Sequence, residues 1–479
     1  MYEVLLVANL LLWLALSIHF VTRPNASVFH PAAYYLFFHG LIFVLRAPLV
    51  YYRGYEAIYR GYQFMPTMDD KNTVLLAAML GLVCFYATVM HFGNAMPRFP
   101  QDQINEAERK EMVRPFLIAA AVLAPVGLVS VLANWDTRAN DSTTMLLDSA
   151  TGRFVNTTGN GYFDDAQLLL APLTVLCVWL YRFRWWTFIP LLTFVVLRGG
   201  TGGRWPIIMA CATIALLFLY ERRKRWPDWR AMAFGGVALF LFQIVGVDRG
   251  TTIRQWFIED RSSLADNVDR LKELRFLEGM DFANLEFFEY LVYAVPQRTG
   301  TYGYFLDNLQ LLTQPIPRVL WSGKPVGPPI QLFSLFDYGY PIGMTYSLPG
   351  EGWVQLGYLG VIIWCALFGW LFGLGYNRFQ KSSHGNPIVL TYLLFLPLSL
   401  TFFRDGFLLT IVQTAVFFLF PVWLIVRIAR LTAVPLADEL RIRARRHLAR
   451  RKPDIAAKLL DRRRMGKIAA LDHRGRRLR

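Results

Sequence analysis

The stretch from Trp353 to Gly375, WVQLGYLGVIIWCALFGWLFGLG, runs for 23 residues without a single charge. A helix of about 20 apolar residues crosses the hydrocarbon layer of a bilayer, because all of its backbone polar groups bond within the helix. Nearly uncharged runs of similar character recur along the whole chain. This pattern predicts an all-α integral membrane protein.

The composition agrees with that prediction. The 479 residues are 55% hydrophobic and only 18% charged, whereas a soluble domain has about 25% charged residues. We predict about eleven transmembrane helices, at residues 3–21, 32–50, 73–92, 115–134, 165–181, 185–198, 204–220, 231–247, 353–375, 387–403 and 406–428.

Positive charge is concentrated at the C-terminal end. Residues 431–479 hold 16 Lys and Arg against 5 Asp and Glu, although the whole chain has a net charge of +16. We interpret this segment as a basic cytoplasmic tail that faces anionic lipid headgroups, and no nucleic-acid partner is expected. Residues 1–430 then form one transmembrane domain. The short basic connections place the N-terminus outside and the C-terminus in the cytoplasm.

The longest interruption between predicted spans is an outside loop at residues 247–350. Its front half, from 254 to 296, has apolar residues at helical spacing and predicts two amphipathic helices that lie on the membrane surface. Its back half contains Pro315, Pro317, Pro325, Pro328 and Pro329, which favour a rigid, non-helical backbone. Such a loop suits the positioning of functional side chains.

Cations gather at the outer ends of the predicted spans. Arginine binds phosphate oxygens with a planar fork, and glycine lets the backbone approach an anion closely. We therefore predict a pyrophosphate site formed by Arg198, Arg204, Arg318, Lys324, Arg404, Arg249 and Arg254. The alternative is that these side chains reach lipid headgroups or form salt bridges within the loop.

Aromatic residues and one acid complete the candidate site. Aromatic rings stack on the apolar faces of sugars, which predicts sugar binding by Trp321, Tyr338, Tyr340, Tyr346 and Trp353. An aromatic belt at the membrane interface is the other interpretation. Glu351 follows the loop directly, where a half-buried carboxylate suits a catalytic general base. It suits a structural cap at the start of the next span equally well.

Several of these residues also carry a resemblance to a known family. Ile316-Pro-Arg318 with Trp321 and Lys324-Pro325, then Gly350-Glu351 followed by Gly357 and Gly360, resemble the motifs of Wzy-type O-antigen or oligosaccharide repeat-unit polymerases. The Gly-rich turn from Arg198 to Arg204 is similar to a turn in that family. The likeness covers roughly residues 195–405.

The resemblance implies a GT-C-like glycosyltransferase of the bacterial inner membrane, with its large outside loop in the periplasm. Such an enzyme transfers one undecaprenyl-pyrophosphate-linked oligosaccharide to the sugar hydroxyl of another, and builds O-antigen, capsule or exopolysaccharide. It implies lipid-linked oligosaccharide as donor and acceptor, contact with membrane lipids, and a chain-length-regulating co-polymerase as a partner. No metal cofactor is expected if arginines neutralise the leaving group, and bound Mg²⁺ stays an open alternative.

Two other functions stay open. An O-antigen ligase typically uses a histidine in its large outside loop, and none of the seven histidines falls within 247–350. A polysaccharide transporter or flippase would carry charged or broken helices at mid-membrane depth. His39 and Arg46, in the second predicted span, are the main candidates for such a path or for a lipid-binding cleft.

Overall fold

The computed structural model describes residues 1–99, 106–133, 145–148, 153–156, 163, 165–200, 205–229, 232, 235, 279–317, 319–382 and 387–432. At 106–111, 145–148, 153–156 and 198–200 only the backbone is described. The predicted basic tail, nearly all of the predicted span 231–247 and most of the front half of the long loop therefore lie outside the described residues.

The regular secondary structure of the described residues is helical apart from one short antiparallel hairpin, in which Met145 lies opposite Asn156. The strands are β1 (Met145–Asp148) and β2 (Arg153–Asn156). The helices are α1 (Tyr2–Val21), α2 (Pro31–Arg53), α3 (Ala57–Tyr62), α4 (Met68–Phe92), α5 (Glu106–Ala133), α6 (Leu170–Leu180), α7 (Ile189–Gly200), α8 (Trp205–Glu221), α9 (Asn284–Ala294), α10 (Gln310–Thr313), α11 (Leu348–Lys381), α12 (Pro387–Asp405) and α13 (Leu408–Leu431).

Within these residues, seven helices are long and apolar enough to cross a membrane: α1, α2, α4, α5, α11, α12 and α13. The prediction of a multi-pass membrane protein is confirmed at that level. Three shorter apolar helices, Ala166–Leu180, Trp185–Leu197 and Trp205–Glu221, coincide with further predicted spans. The count of eleven spans and the side on which the long loop lies stay predictions.

Helix α4 stands at the centre of the bundle and packs against α1, α2, α9 and α11. Its start is fixed by a capping box, in which the Thr67 hydroxyl accepts from the Asp70 amide and the Asp70 carboxylate accepts from the Thr67 amide. Gly81 of α4 allows α11 to approach closely, because a Cβ at this position would lie only 3.1 Å from the Pro349 Cβ and from the Cys365 Sγ, both in α11. Helix α11 is therefore in direct contact with the middle of α4.

Helix α11 is not one straight span. Its backbone leaves the helical region at Leu356 and at Gly357, where φ is +60°. Gly352 and Gly360 would be about 12 Å apart in a continuous helix, yet a Cβ on Gly360 would lie only 1.9 Å from the Gly352 carbonyl oxygen. The chain thus folds back on itself. A first arm, 348–355, lies against a second arm, 358–381, which is the crossing helix.

This fold-back corrects the predicted span 353–375, since its first residues belong to the re-entrant first arm. Every residue from 348 to 355 is buried. Non-continuous helices at membrane depth are tolerated where protein surrounds them, because otherwise their open backbone groups would face lipid. Glycine is required at 357 because its φ is positive and a Cβ there would approach the Tyr302 hydroxyl to 2.8 Å.

Helix α9 corrects a second expectation. We predicted a surface helix with one apolar face, but ten of its eleven residues are buried. It packs against α4, α11 and the π-helical turn Gly40–Arg46 within α2. The end of the front half of the predicted loop therefore enters the bundle instead of covering it.

Candidate active site

The re-entrant first arm of α11 begins with a sequence suited to a helix start. The Ser347 side chain accepts a hydrogen bond from the Gly350 amide at 3.3 Å, Pro349 occupies the first turn, and Glu351 follows. The far end is closed by the loop after α9, because the Gly303 and Tyr304 amides donate to the Val354 and Gln355 carbonyls at 2.9 and 3.1 Å. The start of the arm is thus fixed by a local cap, and its far end is fixed by tertiary contacts.

Glu351 lies inside this arm with no exposed surface. Its Oε1 accepts a hydrogen bond of 2.9 Å from the Gln355 side-chain amide, one helical turn further on. The capping hydrogen bond of the arm is made by Ser347, and Glu351 lies in the first turn, where the helix dipole favours an acid. This position agrees with the predicted structural role, and the role of general base stays a prediction.

Gln355 joins Glu351 to a second carboxylate. Its Oε1 accepts from the Phe305 amide at 2.5 Å, which fixes its Nε2 as the donor for the other contacts. That Nε2 lies 2.9 Å from both oxygens of Asp307 as well as from Glu351. A single amide therefore bridges two acids that stand 44 positions apart in the sequence. Sequence reasoning missed both Asp307 and Gln355.

Asp307 lines a partly open cleft beside the arm. Its walls are formed by Gly303, Leu306, Asp307, Pro328, Ile330, Gln331, Leu332, Phe333, Tyr346 and Val354. We call this feature the Asp307 cleft. It combines a carboxylate, a carboxamide and aromatic surface within one concavity.

The turn between α12 and α13 lies against the same arm. The Arg404 carbonyl accepts from the Ser347 amide and from the Asn284 side chain, each at 2.8 Å. A Cβ on Gly406 would lie 3.0 Å from the Glu351 Cβ. The chain segments that carry two predicted site residues, Arg404 and Glu351, therefore pack against each other.

The Arg404 side chain is 35% exposed, and its Nη2 lies 4.0 Å from the Asp281 carboxylate. An exposed pair at this distance is weak, so the guanidinium can bind another anion. Lys324 differs, because its Nζ donates to the Gln314 and Ile316 carbonyls at 3.0 Å each. These contacts give Lys324 a structural role in holding the loop.

The remaining predicted cations cannot be placed relative to Arg404. Arg198 lies in α7, where the backbone alone is described. The other four, Arg204, Arg249, Arg254 and Arg318, lie outside the described residues. Their role in pyrophosphate binding stays a prediction.

The five predicted sugar-binding aromatics do not form one surface. Tyr346 lines the Asp307 cleft and is mostly buried. Trp353 is buried in the first arm and donates to the Val295 carbonyl at 2.9 Å. Tyr338 is half-buried, whereas Trp321 and Tyr340 are exposed. Among the residues that line the cleft, only Tyr346 comes from the predicted set.

A buried ion pair anchors α9 next to this site. The Arg46 Nε and Nη2 donate to the Glu286 carboxylate at distances from 2.5 to 3.2 Å, and neither side chain has any exposed surface. Arg46 stands at the end of the π-helical turn in α2, which directs it towards α9. Arg46 was a candidate for a lipid-binding cleft, but in the structure its guanidinium is buried against Glu286.

A second acid on α9, Glu289, is buried one turn further on. It accepts a hydrogen bond of 2.5 Å from the Tyr59 hydroxyl. Burial raises the pKa of Glu289 to about 7, while Lys71 and the Tyr59 hydrogen bond act in the opposite direction. The sequence signal for both acids was available, because a glutamate inside the apolar run NLEFFEYLVYA needs a buried partner.

Among the described residues, no group of three or more His, Cys, Asp and Glu side chains could hold a metal ion. All four cysteines are free thiols. The site chemistry that the described residues offer is therefore that of paired carboxylates, one partly exposed arginine and an aromatic-lined cleft.

No family model matches this chain. No curated protein and no solved structure matches it either. The functional argument accordingly depends on the residues and geometry given above.

Proposed function

We propose that the chain is a bacterial inner-membrane glycosyltransferase that polymerises oligosaccharide repeat units carried on undecaprenyl pyrophosphate. The observation that carries this proposal is the Glu351–Gln355–Asp307 bridge on a re-entrant arm that also holds the Arg404 turn. Paired carboxylates suit proton transfer from a hydroxyl, and a fixed cation suits a departing pyrophosphate. Apolar helices surround them, as a lipid-linked substrate requires.

The reaction joins two substrates of the same kind. A sugar hydroxyl of the acceptor attacks the anomeric carbon of the donor, and a new glycosidic bond forms. The bond from that carbon to the pyrophosphate oxygen breaks, and polyprenyl pyrophosphate leaves with the electron pair. A carboxylate takes the hydroxyl proton, while Arg404 and the predicted arginines neutralise the leaving group. The proposal needs no resident metal.

The membrane arrangement follows as part of the same proposal. Eleven spans place the N-terminus and residues 247–350 outside and the basic tail inside, in contact with lipid headgroups. The product is O-antigen, capsule or exopolysaccharide, and a chain-length-regulating co-polymerase is the expected partner. The absence of histidine from residues 247–350 supports a polymerase over a ligase.

A transporter or flippase is the second candidate, because two observations favour it. Helix α11 is broken at Leu356 and Gly357, and charged residues lie buried among the helices at Arg46 and Glu286. These two charges, however, bind each other with no exposed surface, so they do not line an open path. The first candidate accounts better for the Asp307 cleft.

Complementation of a strain that lacks this protein tests the proposal. Arg404→Ala and Arg318→Ala should abolish the ladder of polymer lengths while the protein reaches the membrane at its normal level. Arg298→Ala is the matched control, because Arg298 is exposed and contacts the Tyr293 ring instead of the site. Normal ladders from both site variants would remove the pyrophosphate assignment.

The location of the unused precursor separates the two candidates. A failed polymerase leaves lipid-linked repeat units on the outer face, where an impermeant lectin labels them on spheroplasts. A failed flippase leaves them on the cytoplasmic face, where the lectin does not reach. Labelling that appears only after lysis would favour transport.

A further inference from the structure

The two bridged carboxylates differ in their access to solvent. Asp307 is half-buried and forms part of the cleft wall, whereas Glu351 is fully buried and lies behind that wall. Gln355 stands between them and contacts both. Of the two acids, only Asp307 can therefore contact a bound molecule directly.

The lining of the Asp307 cleft matches the chemistry of a sugar. A pyranose ring has hydroxyl groups that carboxylates and carboxamides bind, and an apolar C–H face that packs on aromatic rings. Asp307 and Gln331 supply the polar groups, and Phe333 and Tyr346 supply the aromatic surface.

Local packing fixes the bridge between the acids. The Phe305 amide holds the Gln355 oxygen, and a Cβ on Gly303 would lie only 2.7 Å from that same oxygen. The amide therefore has one orientation, with its Nε2 pointing at Asp307 and Glu351. Such a support restricts the position of the Asp307 carboxylate, as proton transfer requires.

We propose that the Asp307 cleft is the binding subsite for the acceptor sugar, and that Asp307 is the residue that takes its hydroxyl proton. Gln355 and Glu351 act as positioning residues behind it. The catalytic part rests on the polymerase function proposed above, whereas the sugar-binding part does not. As the acceptor oxygen bonds to the donor's anomeric carbon, its proton passes to the Asp307 carboxylate and later to solvent.

Photo-crosslinking tests the subsite without any need for turnover. A benzoylphenylalanine at Gln331, on the exposed rim of the cleft, should crosslink the lipid-linked repeat unit extracted from cells that lack this protein. The same probe at Leu312, which is 71% exposed and does not line the cleft, is the control. Equal crosslinking at both positions, or none at Gln331, overturns the subsite.

Kinetics of the purified protein test the residue roles. Asp307→Asn keeps the size of the side chain and should lower kcat by at least about 100-fold with little change in KM. Glu351→Gln should lower kcat less and shift the pH profile, because it alters the charge next to the bridging amide. A near-normal kcat for Asp307→Asn overturns the proton-transfer role.

The two proposals can fail separately. If the wild-type protein makes no polymer but the variant with benzoylphenylalanine at Gln331 crosslinks the precursor, the subsite stands and the polymerase function falls. If it makes polymer and Asp307→Asn does so equally well, the polymerase function stands and the catalytic role of Asp307 falls. A structural defect would instead reduce crosslinking and kcat together.

Discussion

Replacing Arg46 by methionine removes the cation from the buried ion pair that ties α2 to α9. Both partners have no exposed surface, and their shortest contact is 2.5 Å. The substitution leaves the Glu286 carboxylate buried without its cation, a change that typically costs about 3–5 kcal/mol. Helix α9 also carries Asn284, which holds the Arg404 carbonyl, so the loss should loosen the candidate site as well.

A double substitution shows whether the lost stability comes from the unpaired Glu286 charge or from the missing ion pair itself. Removing both charges, in Arg46→Met with Glu286→Leu, should recover most of the stability, because well-packed apolar groups replace a buried pair at little or no cost. The matched control is Arg60→Met, which breaks an exposed pair with Glu56 and should change the stability by less than about 1 kcal/mol.

The assay is reversible unfolding of the detergent-solubilised protein by added SDS, followed by tryptophan fluorescence. The expected order of stability is wild type and Arg60→Met first, then the double variant, and Arg46→Met far below them. The reasoning is refuted if Arg46→Met is as stable as wild type. It is also refuted if the double variant is no more stable than the single one.

Two more predictions concern the same region. Gly360→Ala should destabilise the fold strongly, because its Cβ would meet the Gly352 backbone at 1.9 Å. The control Gly375→Ala has 3.8 Å of clearance and should leave the stability in SDS unfolding unchanged or raise it. Equal effects of the two substitutions would contradict the fold-back. Burial raises the pKa of Glu289 from 4.5 to about 7, so between these pH values the folded protein keeps a proton that the unfolded chain has lost. The free energy of unfolding should therefore fall by on the order of 3 kcal/mol as the pH rises from about 4.5 to 7. Glu289→Gln should flatten that dependence in unfolding midpoints measured across pH, and an unchanged slope would contradict the assignment.

The membrane spans could be predicted because their signal is local. Each of the seven long apolar helices overlaps a predicted span, since length and hydropathy alone decide whether a helix suits a bilayer. The fold-back of α11 was not predicted, although its glycines at 352, 357 and 360 were visible. Hydropathy averages over a window, so it does not register a reversal of direction between two apolar arms.

The site could be predicted only in part. Glu351 and Arg404 were chosen independently from charge and position, and the structure packs the segments that carry them against each other. Asp307 and Gln355 were missed because their contact joins residues 48 positions apart, a tertiary relation that no local pattern contains. The pairing of Arg46 with Glu286 spans 240 positions and was hidden for the same reason.

Synthesis of polymer by the purified protein tests the central claim most directly. The protein in detergent micelles is mixed with the lipid-linked repeat unit from cells that lack it, and the products are resolved by gel and mass spectrometry. The proposal predicts a ladder that grows one repeat unit at a time, with one polyprenyl pyrophosphate released for each bond formed. Micelles have no second compartment, so a transporter makes no new bond there. The polymerase function would be contradicted if the precursor stayed unchanged while tryptophan fluorescence showed that the protein was folded.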